Sequence, residues 1–350
     1  MKQIHSIRPL TAFRQISTTL LISCFLIPAV QPALAAPNSI QSCIEEKFQS
    51  APDSMTMGEI RSACQSQATA EQQPIAEDST QPGAIETRIQ MDRENVLKPF
   101  TIMSHKQNYI LLGAYNFKGY NSEEFETAFD KDSIDLDDIE AQFQLSIKTP
   151  LAVDIFKDGI SLWSAYTVRS FWQVYNNDIS SPFRETNHEP EAWVQFIPDF
   201  DILGFSTTAG AVGIVHQSNG QAGNLSRSWN RVYASLVLEK GNFVIAFKPW
   251  FRIEEDFEDD DNPDITDFLG HGEIRMAYKY NDHVFTLMSR NNLESGFSQG
   301  AVELGWSFPI YNFPYLKGYV QYFSGYGESL IDYDEYVNRL GVGLLLTDLL

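Results

Sequence analysis

From about residue 108 to Leu350, apolar and aromatic residues alternate with polar ones in runs of roughly ten, each bounded by turn residues. A period of two marks a strand with one apolar face. The pattern predicts twelve strands: 109–116, 140–148, 160–175, 191–200, 204–218, 228–240, 242–253, 270–281, 283–292, 299–311, 314–325 and 338–350. The connections alternate in length. Lys240-Gly241, Asn281-Asp282-His283 and Asn312-Phe313-Pro314 are tight turns, whereas 117–139, 176–190, 219–227, 254–269 and 326–337 are long and polar. Short turns at one end, long loops at the other and an even strand count predict an all-β fold, a twelve-stranded antiparallel transmembrane β-barrel over 99–350. A soluble β-sandwich shares the strand pattern but gives no reason for loop length to alternate. No run reaches the roughly 20 apolar residues that a membrane helix needs.

Individual strands carry the same two-sided signal. In 228–240, Asn230, Val232, Ala234, Leu236 and Leu238 share one face, and Trp229, Arg231, Tyr233, Ser235 and Glu239 share the other. The first face is predicted to meet lipid and the second a polar interior. Aromatic residues near strand ends (Trp172, Tyr175, Trp193, Trp250, Tyr319 and Tyr322) suit the interfacial girdles of such a barrel.

The segment before the barrel sets the compartment. Lys2, Arg8 and Arg14 form a positive leader, Leu20 to Val30 an apolar core, and Ala33-Leu34-Ala35 a small-x-small cleavage signal, so residues 1–35 read as a signal peptide. Leu21-Ile22-Ser23-Cys24 resembles a lipoprotein site, but the apolar core runs on past Cys24. Removing three basic residues takes the formal charge from -21 to 22 - 46 = -24. Such a polyanion is a poor partner for nucleic acid and a plausible one for divalent cations. Residues 36–98 read as a short periplasmic extension. Cys43 and Cys64 flank a helical-looking hairpin, and in an oxidising compartment a Cys43–Cys64 disulfide is the expected reading, with two buried thiols as the alternative. Residues 65–98, rich in Gln, Glu, Ser, Thr and Pro, read as a flexible linker.

Candidate chemistry concentrates in His216-Gln217-Ser218-Asn219-Gly220 and Ser226-Arg227-Ser228-Trp229-Asn230. Period two places His216 and Ser218 on one strand face, and the short return loop brings Asn230 alongside. Nucleophile, base and orienter thus come from a single hairpin. Val212 and Ile214 share their face, so the group is expected on the outer, lipid-facing wall at the long-loop end. His105, His188, His271 and His283 show no convincing partners and read as loop or interfacial residues. The acidic stretch Glu254 to Asp264 reads as a solvated loop able to bridge divalent ions weakly. A soluble α/β-hydrolase is not supported. The main rival is a non-enzymatic barrel, such as a small pore, whose functional residues would face inward.

With these residues in view, the chain resembles the outer-membrane phospholipase A family. The likeness is carried by Ser180-Ser181-Pro182-Phe183-Arg184-Glu185-Thr186-Asn187, by His216-x-Ser218-Asn219-Gly220 and by Ser226-Arg227-Ser228-Trp229-Asn230-Arg231. Lys248-Pro249-Trp250, Asp260-Asp261-Asn262-Pro263-Asp264-Ile265 and the run from Ser324 to Tyr333 extend it. The resemblance implies a calcium-dependent barrel enzyme of the bacterial outer membrane. It implies hydrolysis of sn-1 and sn-2 acyl esters of phospholipids and lysophospholipids, with activity as a homodimer. Ser218 would be the nucleophile, His216 the general base and Asn230 the residue that orients it. The amide of Gly220 would help hold the oxyanion. Calcium would be held by the Gln221 carbonyl, the Ser226 hydroxyl and Ser180 from a second copy. The chain departs from the family at Gln221 and Gly223, where a basic and an acidic residue are frequent, at Val168, which can be polar, and at its final Leu350, often aromatic.

Overall fold

The computed structural model describes residues 102–350 apart from 156–158, 257 and 259, and before them 83–96, 98, 56 and 58. The chain divides into two compact units, 1–78 and 79–350, and the barrel belongs to the second. The expected signal peptide and the Cys43–Cys64 pair lie outside the described residues.

Twelve strands follow one another along the chain: β1 Asn108–Asn116, β2 Ile139–Ile155, β3 Ile160–Trp172, β4 Phe183–Phe196, β5 Phe205–Ser218 and β6 Ser228–Lys240, then β7 Phe243–Ile253, β8 Gly272–Tyr280, β9 His283–Arg290, β10 Ala301–Ile310, β11 Phe313–Gly325 and β12 Val337–Thr347. Each pairs antiparallel with its neighbours in sequence, and β12 pairs with β1 to close the barrel. Closure removes the open edges that would otherwise leave backbone groups unpaired in lipid. At the seam the register shifts between Val342 and Gly343. A Cβ on Gly343 would meet the Ile110 carbonyl oxygen at 1.9 Å, so the backbones approach there only because the residue is glycine. Pro150 in β2 cannot donate to the ladder, and the register shifts immediately after it.

The strand pattern of the sequence is realised closely, with two informative differences. Strand β4 begins at Phe183, inside the stretch 176–190 expected to be a loop. Its opening residues Arg184, Glu185 and Asn187 are buried, so this end of the strand turns charged rather than apolar side chains inward. Helix α1, Ala84–Asn95, occupies part of the expected linker. Polar anchors dock it at the short-turn end of the barrel. The Ile85 amide donates to Glu239 Oε1 (2.8 Å), Arg88 to the Asp348 carbonyl (2.8 Å), and Lys148 to Asp92 (2.5 Å). Apolar periodicity could not announce a helix held this way.

Large and charged side chains fill the interior around a polar cavity of about 390 Å³. Arg339 binds Glu328 and Gln321, and Glu191 accepts from His105 (2.7 Å) and from the Tyr233 hydroxyl (2.9 Å). Three expected girdle residues belong to this interior instead. Trp193, Trp250 and Tyr319 are buried, Trp193 stacked on Trp163 and Trp250 against Trp229. A barrel of this width needs bulky side chains on its inner face, and strand parity sends these aromatics there. Tyr280, Tyr311, Phe313 and Tyr315, all exposed, furnish an aromatic belt at the short-turn end.

Candidate active site

The hairpin of β5 and β6 sets His216 directly opposite Asn230 and Ser218 opposite Ser228. His216 Nδ1 and Asn230 Oδ1 are 2.8 Å apart. An amide oxygen only accepts, so Nδ1 carries a proton, and it is Nε2 that bears the lone pair in the neutral ring. Ser218, two residues along the strand, lies on the same face. No hydrogen bond joins its hydroxyl to the imidazole among the described residues. That is common where a catalytic contact tightens only around substrate. The face itself is outward: Val212, Ile214 and Val232 on it are 52%, 59% and 38% exposed, whereas Gly213, Val215, Trp229 and Tyr233 between them are buried. The three side chains are therefore on the outer wall, not in the lumen.

The loop after β5 is organised by one buried residue, Asn219. Its Oδ1 accepts from the amides of Gln221 (3.2 Å) and Arg227 (3.1 Å), and its Nδ2 donates to the Leu225 carbonyl (2.7 Å). This cross-brace leaves Gly220 at φ +66°, a conformation that glycine adopts without strain. Arg227 ties the loop outward. It binds Glu124 of α2, Glu123–Phe129, which lies between β1 and β2, and its guanidinium stands over the Tyr333 ring at 5.9 Å. Burial pushes the Glu124 carboxyl up, against the opposing pull of Arg227. Burial, reinforced by the Asp264 carboxylate that accepts its proton, likewise raises Tyr333, which stays a donor.

The oxygen donors expected to hold calcium lie in two loops, Gln221 and Ser226 between β5 and β6 and Ser180 between β3 and β4. Ser226 donates to Asp261 Oδ2 (2.5 Å), and Gln221 sits in the braced turn. Ser180 is exposed in the β3–β4 loop with φ +66°. Hydroxyl, carbonyl and carboxylate oxygens are the hard ligands calcium prefers. Among the described residues, no group of three or more His, Cys, Asp or Glu converges to cage a metal by itself. The chemistry of the donor set fits calcium.

Several residues set aside on sequence grounds have partners. His188 lies opposite Ser218 on β4, with Nδ1 2.6 Å from the Tyr166 hydroxyl. His105 binds Glu191, His271 binds Glu294 (2.5 Å), and His283 meets Trp306. Of the acidic stretch, Asp260 binds Arg252 (2.6 Å), Asp261 binds Ser226, Asp264 accepts from Tyr333, and Glu255 Oε1 accepts from Asn230 Nδ2 (2.7 Å). No pattern in the sequence reveals these pairings, because all but Arg252–Asp260 join residues more than twenty apart along the chain. The expected absence of a Gly-x-Ser-x-Gly motif is wrong: Gly296-Phe297-Ser298-Gln299-Gly300 has the spelling of a nucleophile elbow around Ser298. It lies in the loop between β9 and β10, and its hydroxyl donates to the Ser295 carbonyl (2.7 Å). The strand–turn–helix setting that makes an elbow is missing there.

A closed barrel with a serine, histidine and asparagine gathered on its lipid-facing wall defines the class: an outer-membrane β-barrel of hydrolase type. Comparison with known proteins narrows the class. The sequence profile of the phospholipase A1 family matches residues 85–346, and the chain belongs to that family. It is 37% identical over 267 residues to the phospholipase A1 of Klebsiella pneumoniae, covering 76% of this chain and 88% of that one, and equally so to the Escherichia coli K12 protein. Among solved structures it resembles a Salmonella typhi outer membrane phospholipase dimer with bound calcium, at TM-score 0.66 and 36% identity, covering 72% of this chain and 94% of that one. The E. coli outer membrane phospholipase A superposes at TM-score 0.65 with 36% identity, over 72% of this chain and all of that one. A form of the E. coli protein with an active-site asparagine changed to alanine superposes equally well.

Proposed function

We propose that this chain hydrolyses the sn-1 and sn-2 acyl esters of phospholipids and lysophospholipids at the outer leaflet of the bacterial outer membrane, with Ser218 as nucleophile. The observation that carries the reading is the His216–Asn230 hydrogen bond on an outward face bordered by exposed Val212 and Ile214. A lipid ester held in the bilayer reaches that face without leaving the membrane.

Ser218 Oγ attacks the ester carbonyl carbon while its proton passes to His216 Nε2. Asn230 holds the ring in the required tautomer through Nδ1. The carbonyl oxygen becomes an oxyanion, toward which the Gly220 amide is the nearby donor. When the carbon–oxygen bond to glycerol breaks, His216 returns the proton to the departing alkoxide, and water then releases the fatty acid by the same path. A neutral asparagine orients the base without placing an unpaired carboxylate against lipid, where charge is costly. The Gln221 carbonyl and the Ser226 hydroxyl, with Ser180 of a second copy, would hold calcium, whose positive charge would help stabilise an oxyanion. The calcium-bound dimer of the Salmonella typhi relative supports this arrangement.

The test is calcium-dependent release of fatty acid from defined phospholipids in detergent. The wild type should turn over and carry a sulfonyl fluoride on Ser218. Ser218→Ala should lose both turnover and label with the barrel intact. Retained hydrolysis in that variant, or labelling of Ser298 instead, would overturn the assignment.

A further inference from the structure

We infer that Glu255 is a positioning residue for the hydrolysis, a fourth member of the line that runs from Ser218 through His216 and Asn230; the inference rests on the reading above. The register explains how it arrives there. Asn230 of β6 is flanked by His216 on β5 and by Ile253 on β7. Glu255 lies two residues beyond Ile253, hence on the same side of the chain where it leaves the sheet. From there its Oε1 accepts from Asn230 Nδ2 at 2.7 Å, while Asn230 Oδ1 meets His216 Nδ1 at 2.8 Å.

The need for such a group follows from the asparagine itself. A carboxylate orients an imidazole whichever of its oxygens faces the ring. An amide does so only one way round: turned by 180°, it offers Nδ2 to Nδ1 and selects the tautomer that cannot accept a proton from Ser218. An ionised carboxylate has only acceptors, so Glu255 compels Asn230 to present Nδ2 to it and Oδ1 to His216. Neighbouring charges are otherwise engaged. Arg252 binds Asp260 and the Pro263 carbonyl, Asp261 takes the Ser226 hydroxyl, and His188 meets Tyr166. Of these acids, Glu255 alone is committed to the His216 line.

The experiment compares Glu255→Ala, Glu255→Gln, Asn230→Asp and the double variant Glu255→Ala/Asn230→Asp in calcium-saturated full-length protein. Folding is checked by the gel shift of the heated barrel. Glu255→Ala should lower kcat about tenfold, the scale of one charge-assisted hydrogen bond, with KM little changed. Glu255→Gln keeps an acceptor and should recover part of the loss. The decisive pair uses Asp at 230, which has no donor for Glu255 and repels it. Asn230→Asp should be poor by itself and markedly better when Glu255→Ala is added, a rescue that a merely structural glutamate would not produce. Wild-type kcat in Glu255→Ala, or no rescue in the double variant, overturns the inference. If Ser218→Ala is dead in the same assay, that failure leaves the proposed function standing.

Discussion

His216 has one hydrogen-bond acceptor at Nδ1, and that acceptor is an amide rather than a carboxylate. Removing it leaves the ring free to rotate and to take the wrong tautomer, without touching the lipid chains. Asn230→Ala is therefore expected to lower kcat by about a hundredfold, the cost of losing geometry at the reacting atoms, with little change in KM. Steady-state kinetics on mixed micelles decides it: a raised KM at constant kcat would move Asn230 to substrate binding. Asn219 acts one step further out. It donates and accepts for three backbone groups of the loop that carries Gly220, Gln221 and Ser226. Asn219→Ala should raise the calcium concentration needed for half-maximal activity severalfold, while the unfolding midpoint of the barrel moves little. Titration of activity against calcium, beside thermal unfolding in detergent, separates the two effects.

At the level of elements, the start of β4 joins the barrel mouth to two loops. Arg184 is fully buried, bonded through Nη2 to Glu140 Oε1 (2.9 Å) and through Nε to Glu140 Oε2 (3.0 Å), bonded also to Asp332, and stacked over Tyr120 at 4.1 Å. Glu185 and Asn187 accept the amides of Ile331 (3.2 Å) and Leu330 (3.1 Å), which fastens the β11–β12 loop over the same opening. Arg184→Ala strands two carboxylates without their cation. Breaking a buried pair from one side costs about 3–5 kcal/mol, so the variant should unfold at clearly lower denaturant than the wild type. An unchanged midpoint would mean that water replaces the guanidinium freely and that the mouth is less dry than its packing indicates.

On the scale of the whole molecule, an outward-facing site has a consequence for assembly. Among the proposed calcium donors, Ser180 lies in a different loop from Ser226 and Gln221, so a site shared between two copies is the arrangement to test. Two barrels meeting along their outer walls could complete it, which links calcium, dimerisation and activity. Mixing Ser218→Ala with Ser180→Ala chains tests the link. In the mixed dimer one site has an intact Ser218 and an intact Ser180 from the other copy, while the second site lacks both. Activity should rise above either parent. A mixture as inactive as its parents, in dimers shown by crosslinking to be mixed, would place Ser180 within its own chain.

Local rules were enough for much of this protein, because a barrel wall is a local object. Each strand needs only period-two alternation and a turn, and pairing between sequential neighbours lets loop lengths report which end is which. The same locality made His216, Ser218 and Asn230 legible: one hairpin, fourteen residues from His216 to Asn230, contains all three. Tertiary structure alone decided what lies between distant loops and across the lumen. Strand β4 begins early because Arg184 and Glu185 find partners in β2 and in the β11–β12 loop, and parity turned Trp193, Trp250 and Tyr319 inward to fill a width no single strand encodes. Glu255 looked like one acid in a solvated run until the β6–β7 register set it against Asn230. Alternation specifies a face, whereas a hydrogen-bond partner is specified only when the closed barrel brings the loops to one end.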